Sequence, residues 1–155
     1  MPDTDTANTL SLAAFLPYRL SVLSNTVSKR IADLYRAEFE LSMPGWRVMA
    51  IIGETPGVNA TDIVTRTVMD KVAVSRAVAS LIEKGFVRRA AAQDDGRRSL
   101  LSLTAKGQET YARIVPMAEA EERAVTKTLS DEETAELNRL LGKLADVVSP
   151  DRALW

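Results

Sequence analysis

The chain of 155 residues is 46% hydrophobic and 26% charged, with a formal net charge of −1 at pH 7, and it is long enough for one domain with a sizeable core. It contains no cysteine and no histidine. Disulfides, thiolate metal sites and Ser-His nucleophilic catalysis are therefore excluded, and we expect neither a metal nor a cofactor.

The N-terminal region shows none of the features of an export signal. Its first residues are polar and acidic, and they lack the basic start and the apolar centre of a signal peptide. No run in the sequence approaches the ~18 apolar residues of a membrane span. We therefore expect a cytoplasmic protein.

A long helix is predicted from Pro17, a residue suited to the first turn, to about Glu40. Its apolar side chains recur at helical spacing: Leu20, Leu23, Val27, Ile31, Leu34 and Tyr35. A helix of about 24 residues is ~36 Å long and extends beyond a small lobe. Its apolar stripe therefore predicts a second covering surface, which we interpret as another subunit.

Two short helices are predicted next. Ser42 is a suitable N-cap for a helix that ends near Glu54, before the break at Pro56-Gly57. Asn59 then caps a second helix, in which Asp62 places a carboxylate near the positive N-terminal end.

A third short helix begins after Asp70, an N-cap residue, and ends at Gly85, a residue typical of helix C-termini. Its predicted apolar stripe comprises Val74, Ala77, Val78, Leu81 and Ile82. The opposite face carries Val72, Ala73, Arg76, Ala79, Ser80 and Glu83. Small residues around one arginine fit a B-DNA major groove. The same face is also typical of a protein packing surface, so this feature alone leaves both interpretations open.

Two β-prone runs follow, Phe86 to Arg89 and Ser99 to Leu103. Between them the Asp95-Gly96 pair is a strong hairpin signal. A helix followed by a hairpin with arginines at its tip is the recognition half of a winged helix-turn-helix. An arginine-rich turn by itself is also consistent with solvated charge.

Two further helices are predicted towards the C-terminus. Thr104 caps a long helix that contains Pro116, which we expect to kink it. Ser130 and Glu133 form a capping box at the start of the last helix. The apolar stripe of that helix comprises Leu137, Leu140, Leu141, Leu144 and Val148. We expect an obligate dimer to cover these stripes, and the alternative is a monomeric helical bundle.

Charge is distributed unevenly along the chain. Eight cations and four anions lie between Arg66 and Arg98, whereas five cations and nine anions lie between Gly107 and Pro150. A dimer would double the positive face and keep its acidic side away from phosphates.

The sequence resembles the MarR family of transcriptional regulators, loosely over about residues 10–148. The matching residues are Asp70-Lys71, Val74-Ser75-Arg76, Leu81, Gly85, Arg89, Asp95-Gly96-Arg97 and Leu101-Ser102-Leu103-Thr104-x-x-Gly107. The wing approach Ala90-Ala91-Ala92-Gln93 departs from the charged, proline-bearing approach usual in the family.

Pattern and resemblance together predict a mainly α fold with a small β-hairpin wing. We expect a single domain over residues 1–155, with a winged-helix DNA-binding lobe at 42–104 and dimerisation helices at 10–40 and 105–148. The predicted function is that of a ligand-responsive, sequence-specific repressor that acts as a homodimer on a pseudo-palindromic operator.

Different residues are predicted to contact the major groove, the minor groove and the phosphates of DNA. Arg76, with Val72 and Ala73, is expected to read base edges in the major groove. Arg97 is expected to enter the minor groove, oriented by Asp95. The phosphate contacts predicted at the helix N-termini are Thr61, Lys71 and Ser75. The remaining cations, assigned to phosphate contacts or to solvated charge, are Arg88, Arg89 and Arg98.

The resemblance also implies a small aromatic or phenolic effector, bound between the two lobes. Tyr18, Arg19, Arg30 and Trp46 are the candidate lining residues. Each has a plainer interpretation, since Trp46 suits a core position and Arg30 a surface ion pair.

Two other functions compete with this prediction. One is a winged-helix module that binds protein and no longer binds DNA, and the uneven charge argues against it. The other is an enzyme, which we do not expect, because the sequence has no Gly-rich phosphate loop and its Glu121-Glu122 pair suits a solvated helix face.

Overall fold

The computed structural model describes residues 9–92 and 99–150, and within them the fold is mainly α with one small antiparallel sheet. The elements in order are α1 (Leu16–Phe39), α2 (Met43–Glu54), β1 (Val58–Asn59), α3 (Ala60–Thr67), α4 (Lys71–Glu83), β2 (Val87–Ala91), β3 (Ser99–Leu103), α5 (Ala105–Thr126) and α6 (Asp131–Val148). This order confirms the predicted class. None of these helices is long and apolar enough to cross a membrane.

Side-chain caps fix the starts of five helices, and all five were predicted. The capping residues are Ser42, Asn59, Asp70, Thr104 and Ser130. Each side-chain oxygen accepts a hydrogen bond from a backbone N–H in the first turn, which would otherwise lack a partner. At Ser130 the bond is reciprocated by the Glu133 side chain, as a capping box requires.

The sheet has the strand order β1-β3-β2 and is antiparallel throughout. β2 and β3 form the predicted hairpin, with Val87 opposite Leu103 and Arg89 opposite Leu101. β1 was not predicted. It has only two residues, and Val58 pairs with Leu101 on the free side of β3.

The core lies where α2, α3, α4 and the sheet meet. Its fully buried members include Met49 and Ile52 from α2, Ile63 from α3, Leu81 from α4 and Leu101 from β3. The apolar stripe predicted for α4 is buried except for Ile82, which is exposed at the edge. This shared core holds the exposed side of α4 in a fixed orientation.

The first turn of α5 packs closely against Gly85 and Phe86, which follow the C-terminal end of α4. Thr104 Oγ1 donates a hydrogen bond to the Gly85 carbonyl (2.6 Å) and accepts one from the Gly107 N–H (3.0 Å). A Cβ on Gly107 would lie 2.0 Å from the Phe86 carbonyl oxygen, so only glycine fits here. These contacts explain physically why Thr-x-x-Gly follows the wing.

The terminal helices bury little of their apolar surface within the chain. On α1 the predicted stripe is covered only towards its C-terminal half, where Tyr35 is buried and Val27 and Ile31 are half-buried. The apolar residues left exposed near or on α1 and on α6 are Leu10, Leu12, Phe15, Leu16, Tyr18, Leu20, Val22, Leu23, Leu34, Leu137, Leu140, Leu144, Val147 and Val148. Between these helices α5 passes through Pro116 without a break in the helix.

Candidate nucleic-acid interface

α4 presents one face to solvent because its other face is anchored in the core. Asp70 caps it, accepting the Ala73 N–H at 2.8 Å, and Val74, Ala77, Val78 and Leu81 are buried. The side chains left outside include Val72, which is 58% exposed, Ser75, Arg76 and Ala79, while Ala73 is half-buried. Val72, Arg76 and Ala79 belong to the face predicted from helical periodicity, whereas Ser75 was not assigned to that face and the predicted Ser80 is half-buried.

Four predicted phosphate contacts lie around one hollow beside this face. The hollow has a volume of about 260 Å³ and lies between α3, α4 and β2. Its polar lining comes from Thr61, Lys71, Ser75 and Arg89, while its floor is apolar. Residues from three elements thus bring hydroxyls and cations together at the N-terminal ends of two helices, where backbone N–H groups also favour anions.

Arg88 and Arg89 are adjacent in sequence but lie on opposite faces of β2. Arg89 lines the hollow next to α4, whereas Arg88 lines a separate cleft of about 210 Å³ with Gln108 and Tyr111 of α5. Alternation along a strand requires this separation. The two arginines were assigned the same role, and the structure does not bring them together.

The cations beside α4 are available to a ligand. Within residues 9–92 and 99–150, neither Lys71, Arg76 nor Arg89 has a carboxylate within 4.0 Å. Arg66 differs, since its guanidinium is paired with Glu54 and also bonded to the Thr55 hydroxyl. The sequence count of cations from Arg66 to Arg98 includes Arg66, but its partner Glu54 lies on α2, outside the counted range.

The predicted wing-tip residues Asp95, Arg97 and Arg98 lie outside the described residues. The strands that lead to them, β2 and β3, are described as far as Ala91 and from Ser99.

The predicted effector residues do not form one site. Trp46 lines a half-open groove of about 480 Å³ between α1, α2 and α5. Tyr18 and Arg19 do not line it: they lie eight or nine residues before Val27, the nearest lining residue on α1, which is ~12–14 Å along a helix. Arg30 is next to the lining residue Ile31, but its guanidinium is paired with Glu121.

Several lining residues of the groove were not predicted. They are Val27, Ile31, Val115, Ala118, Glu119, Glu122, Val125 and Thr126. Aromatic packing supports the groove, because Trp46 lies 5.7 Å from the Tyr35 ring and 6.0 Å from the Tyr111 ring. Burial raises the pKa of Tyr35 to about 12, and its hydroxyl has no hydrogen-bond partner among the described residues.

Comparison with known proteins agrees with this geometry. The family model described as the MarR family matches residues 40–98, from the start of α2 into the wing. The transcriptional regulator HosA of Escherichia coli is 28% identical over 105 residues, which are 68% of this chain and 78% of HosA.

Two solved structures share the fold over most of the chain. A MarR/EmrR family transcriptional regulator from Acinetobacter sp. ADP1 has a TM-score of 0.83 and 25% identity, covering 91% of this chain and 99% of its own. A MarR family regulator from Listeria monocytogenes, complexed with a 26mer DNA, has a TM-score of 0.82 and 20% identity, covering 88% and 91%. These relatives are regulators and not enzymes. The chain is therefore similar to MarR family transcriptional regulators in sequence over residues 40–98 and in fold over most of its length.

Proposed function

We propose that the protein is a homodimeric repressor that recognises a pseudo-palindromic operator and changes its DNA affinity when a small molecule binds. The observation that carries this proposal is the exposed face of α4, where neither Lys71 nor Arg76 has a carboxylate within 4.0 Å among residues 9–92 and 99–150, and where Lys71 lines the same hollow as Arg89. A helix held by the core on one side and free on the other has the form needed to enter a major groove.

The proposed DNA contacts follow from position. Arg76 reads a guanine edge, and Val72 and Ala73 contact neighbouring bases. Phosphates are held by the side chains around the hollow, Thr61, Lys71, Ser75 and Arg89. Arg88 lines the cleft towards α5 and is left out of this contact set. Asp95, Arg97 and Arg98 keep their proposed roles at the wing.

The dimer is proposed from the apolar surface of the terminal helices. Leu20 and Leu23 on α1 are 40% and 60% exposed, and Leu137 and Leu140 on α6 are 43% and 44% exposed. Contiguous apolar surface of this kind marks an interaction site in a water-soluble chain. A two-fold partner would cover both helices with the same surface of a second copy.

A ligand in the groove would act through α2. Trp46 lines the groove on one side of α2, while Met49 and Ile52 of the same helix are fully buried in the core shared with α4. A molecule that shifts α2 therefore also shifts the recognition helix. Such a regulator is expected in the cytoplasm, together with its operator DNA.

Selection of bound duplexes from random DNA tests the proposal. We expect two inverted half-sites whose centres lie about one helical turn apart, ~34–36 Å. Footprinting of the selected sequence and sedimentation of the complex then give its symmetry and stoichiometry. Protection of one half-site by a monomer at full affinity would contradict the dimer, and salt-independent binding of a protein with no selected DNA would favour an interaction module.

A further inference from the structure

The cleft beside Arg88 collects polar residues from three elements that have no partner within the chain. It lies between the sheet, the C-terminal end of α2 and the first two turns of α5, and its volume is about 210 Å³. Its polar lining residues are Arg88, Ser102, Gln108 and Tyr111. In the part of the chain that the structure describes, none of their side chains takes part in an ion pair or a hydrogen bond. Their hydrogen-bond donors are therefore available to a ligand.

Strand register and helical spacing place these four residues in two pairs. Arg88 lies opposite Ser102 in the β2–β3 ladder, so their side chains leave the same face of the sheet with Cβ atoms ~4.5–5.5 Å apart. Gln108 and Tyr111 are three residues apart on α5 and share one of its faces. Gly53 of α2 also lines the cleft, and a Cβ there would lie 2.8 Å from Cζ of Tyr111, the ring carbon that bears the hydroxyl. The hydroxyl end of this ring therefore lies beside a lining residue of the cleft.

The ionic charge of the lining is positive. Arg88 is a lining residue, and no aspartate or glutamate among the described residues lines the cleft. Glu54, the last residue of α2, is paired with Arg66 of α3. Glu109 of α5 lies between two lining residues in sequence but is not one itself, since successive side chains of a helix point ~100° apart. An anion at Arg88 would therefore meet no carboxylate among the residues that line this cleft.

Size and an apolar floor narrow the class of ligand. Ile52 and Leu103 are buried and line the cleft. The 210 Å³ is the room of about seven water molecules at ~30 Å³ each, which is below the ~300 Å³ at which sites for drug-sized ligands begin. A carboxylate matches the planar fork of an arginine with two parallel hydrogen bonds, and hydroxyl and amide groups can donate to its remaining lone pairs. A single cation balances one negative charge, so a monocarboxylate fits better than a doubly charged phosphate.

We propose that this cleft binds a small monocarboxylic acid in its ionised form, with the carboxylate on the Arg88 guanidinium and a short apolar chain against Ile52 and Leu103. The hydroxyl and amide groups of the lining donate the further hydrogen bonds. The cleft shares no lining residue with the groove beside Trp46. This site goes beyond the proposed repressor function, because it requires neither a dimer nor DNA.

Three probes separate charge, shape and the kind of anion: butanoate, its neutral analogue butanamide, and inorganic phosphate. Each is titrated at pH 7 and low salt into the isotopically labelled full-length protein. The chemical shifts of the Ser102 and Gln108 backbone amides report binding at the cleft. We expect butanoate to bind about tenfold more tightly than butanamide, which corresponds to ~1.4 kcal/mol, and phosphate to bind more weakly than butanoate.

Arg88→Gln should abolish the tenfold advantage of butanoate over butanamide, because it removes the charge and the planar fork from an exposed side chain. Arg47→Gln is the matched control. Arg47 follows Trp46 in sequence, and it has no carboxylate within 4.0 Å among residues 9–92 and 99–150, so its loss would reveal an acid bound at the groove instead. Its replacement should leave butanoate binding unchanged.

Four results would overturn the inference. They are equal binding of butanoate and butanamide, tighter binding of phosphate, no shift of the Ser102 and Gln108 amides, and a loss of butanoate binding in Arg47→Gln but not in Arg88→Gln. The DNA selection described above does not use these probes, so the two proposals can fail separately.

Discussion

The winged-helix lobe and the terminal helices differ in the burial of their leucines and in the pairing of their cations. In the lobe, large apolar side chains such as Leu81 and Leu101 are 1% exposed, and the exposed cations Lys71 and Arg76 have no carboxylate partner among the described residues. On α6, three of the four leucines are more than 40% exposed, while Arg139 is bound to Glu136 by two hydrogen bonds of 2.7 Å. At these positions the lobe buries its leucines and leaves two cations without a described carboxylate partner, whereas α6 pairs its arginine and leaves three leucines exposed.

The difference shows which partner each region needs. Unpaired cations on a rigid, folded surface favour an anionic partner, whereas uncovered leucines favour an apolar one. The following predictions test whether these two requirements are separate.

The largest expected effect compares a buried leucine with an exposed one. Leu101→Ala should lower the free energy of unfolding by about 2–5 kcal/mol, because it leaves a cavity in the core. Leu140→Ala should instead weaken the proposed dimer, so its effect on the denaturation midpoint should be greater at low protein concentration. Urea denaturation at several concentrations, with sedimentation equilibrium, measures both. An unchanged dimer dissociation constant for Leu140→Ala would contradict the role proposed for this exposed leucine.

The second prediction uses two glycines on helices. Gly107→Ala should destabilise the protein by about 1–3 kcal/mol, because the new Cβ would overlap the Phe86 carbonyl oxygen. Gly142→Ala on α6 is the control, since a Cβ there meets nothing within 4 Å of this chain. Its higher helix propensity should stabilise the protein by up to about 1 kcal/mol. Thermal unfolding measures the stability of both variants. Melting temperatures shifted in the same direction in both would contradict the close packing assigned to Gly107.

The third prediction concerns DNA. Arg76→Ala should cost about 1–3 kcal/mol of operator affinity and relax the preference at one base position per half-site. Arg139→Ala removes the same side chain from the terminal region, where it is paired with Glu136, and should leave affinity unchanged. Titrations with operator and scrambled DNA at several salt concentrations measure the affinity and the sequence preference of each variant. Equal losses from the two variants would show that α4 is not the reading helix.

The smallest effect is expected at Tyr35, where the lobe and α1 meet. Its buried hydroxyl has no partner among the described residues, so Tyr35→Phe should be neutral or slightly stabilising at pH 7. Burial raises the folded pKa from 10.0 to about 12, so above pH 10 the unfolded state releases the proton first. The unmodified protein should then lose stability as pH rises towards 12, and the phenylalanine variant should lose less. Parallel pH-dependent melting curves for the two proteins would rule out this account.

Local signals accounted for most of the fold. Helix starts were predictable because Asp70 and Ser130 act within one turn of their own backbone, and Gly85 has the positive φ of 75° expected of a helix C-terminus. β1 was not predictable, since a two-residue strand such as Val58–Asn59 carries no alternating pattern and exists only through its pairing with β3.

The candidate sites were predictable where local signals mark their residues, as on one helix face or at helix N-termini. The exposed face of α4 follows from helical periodicity, and most of its residues are exposed as expected. The groove lined by Trp46 does not follow from periodicity, because α1, α2 and α5 build it together. The partner of Arg30, for example, is Glu121, which is 91 residues away in sequence. Arg88 and Arg89 show an intermediate case: alternation separates them, but only the packed sheet shows that Arg89 is the one beside α4.

The contacts of Thr104 and Gly107 link the first turn of α5 to Gly85 and Phe86, which follow α4. Because the hydroxyl of Thr104 donates a hydrogen bond to the Gly85 carbonyl, a tilt of α5 would either strain this bond or move the end of α4 with it. The 22 residues of α5 span ~33 Å, so a rotation of about 5° would displace the far end by ~3 Å. A small motion at the C-terminal end of α5 would therefore change the orientation of α4, and the close packing that couples the two is possible because residue 107 is glycine.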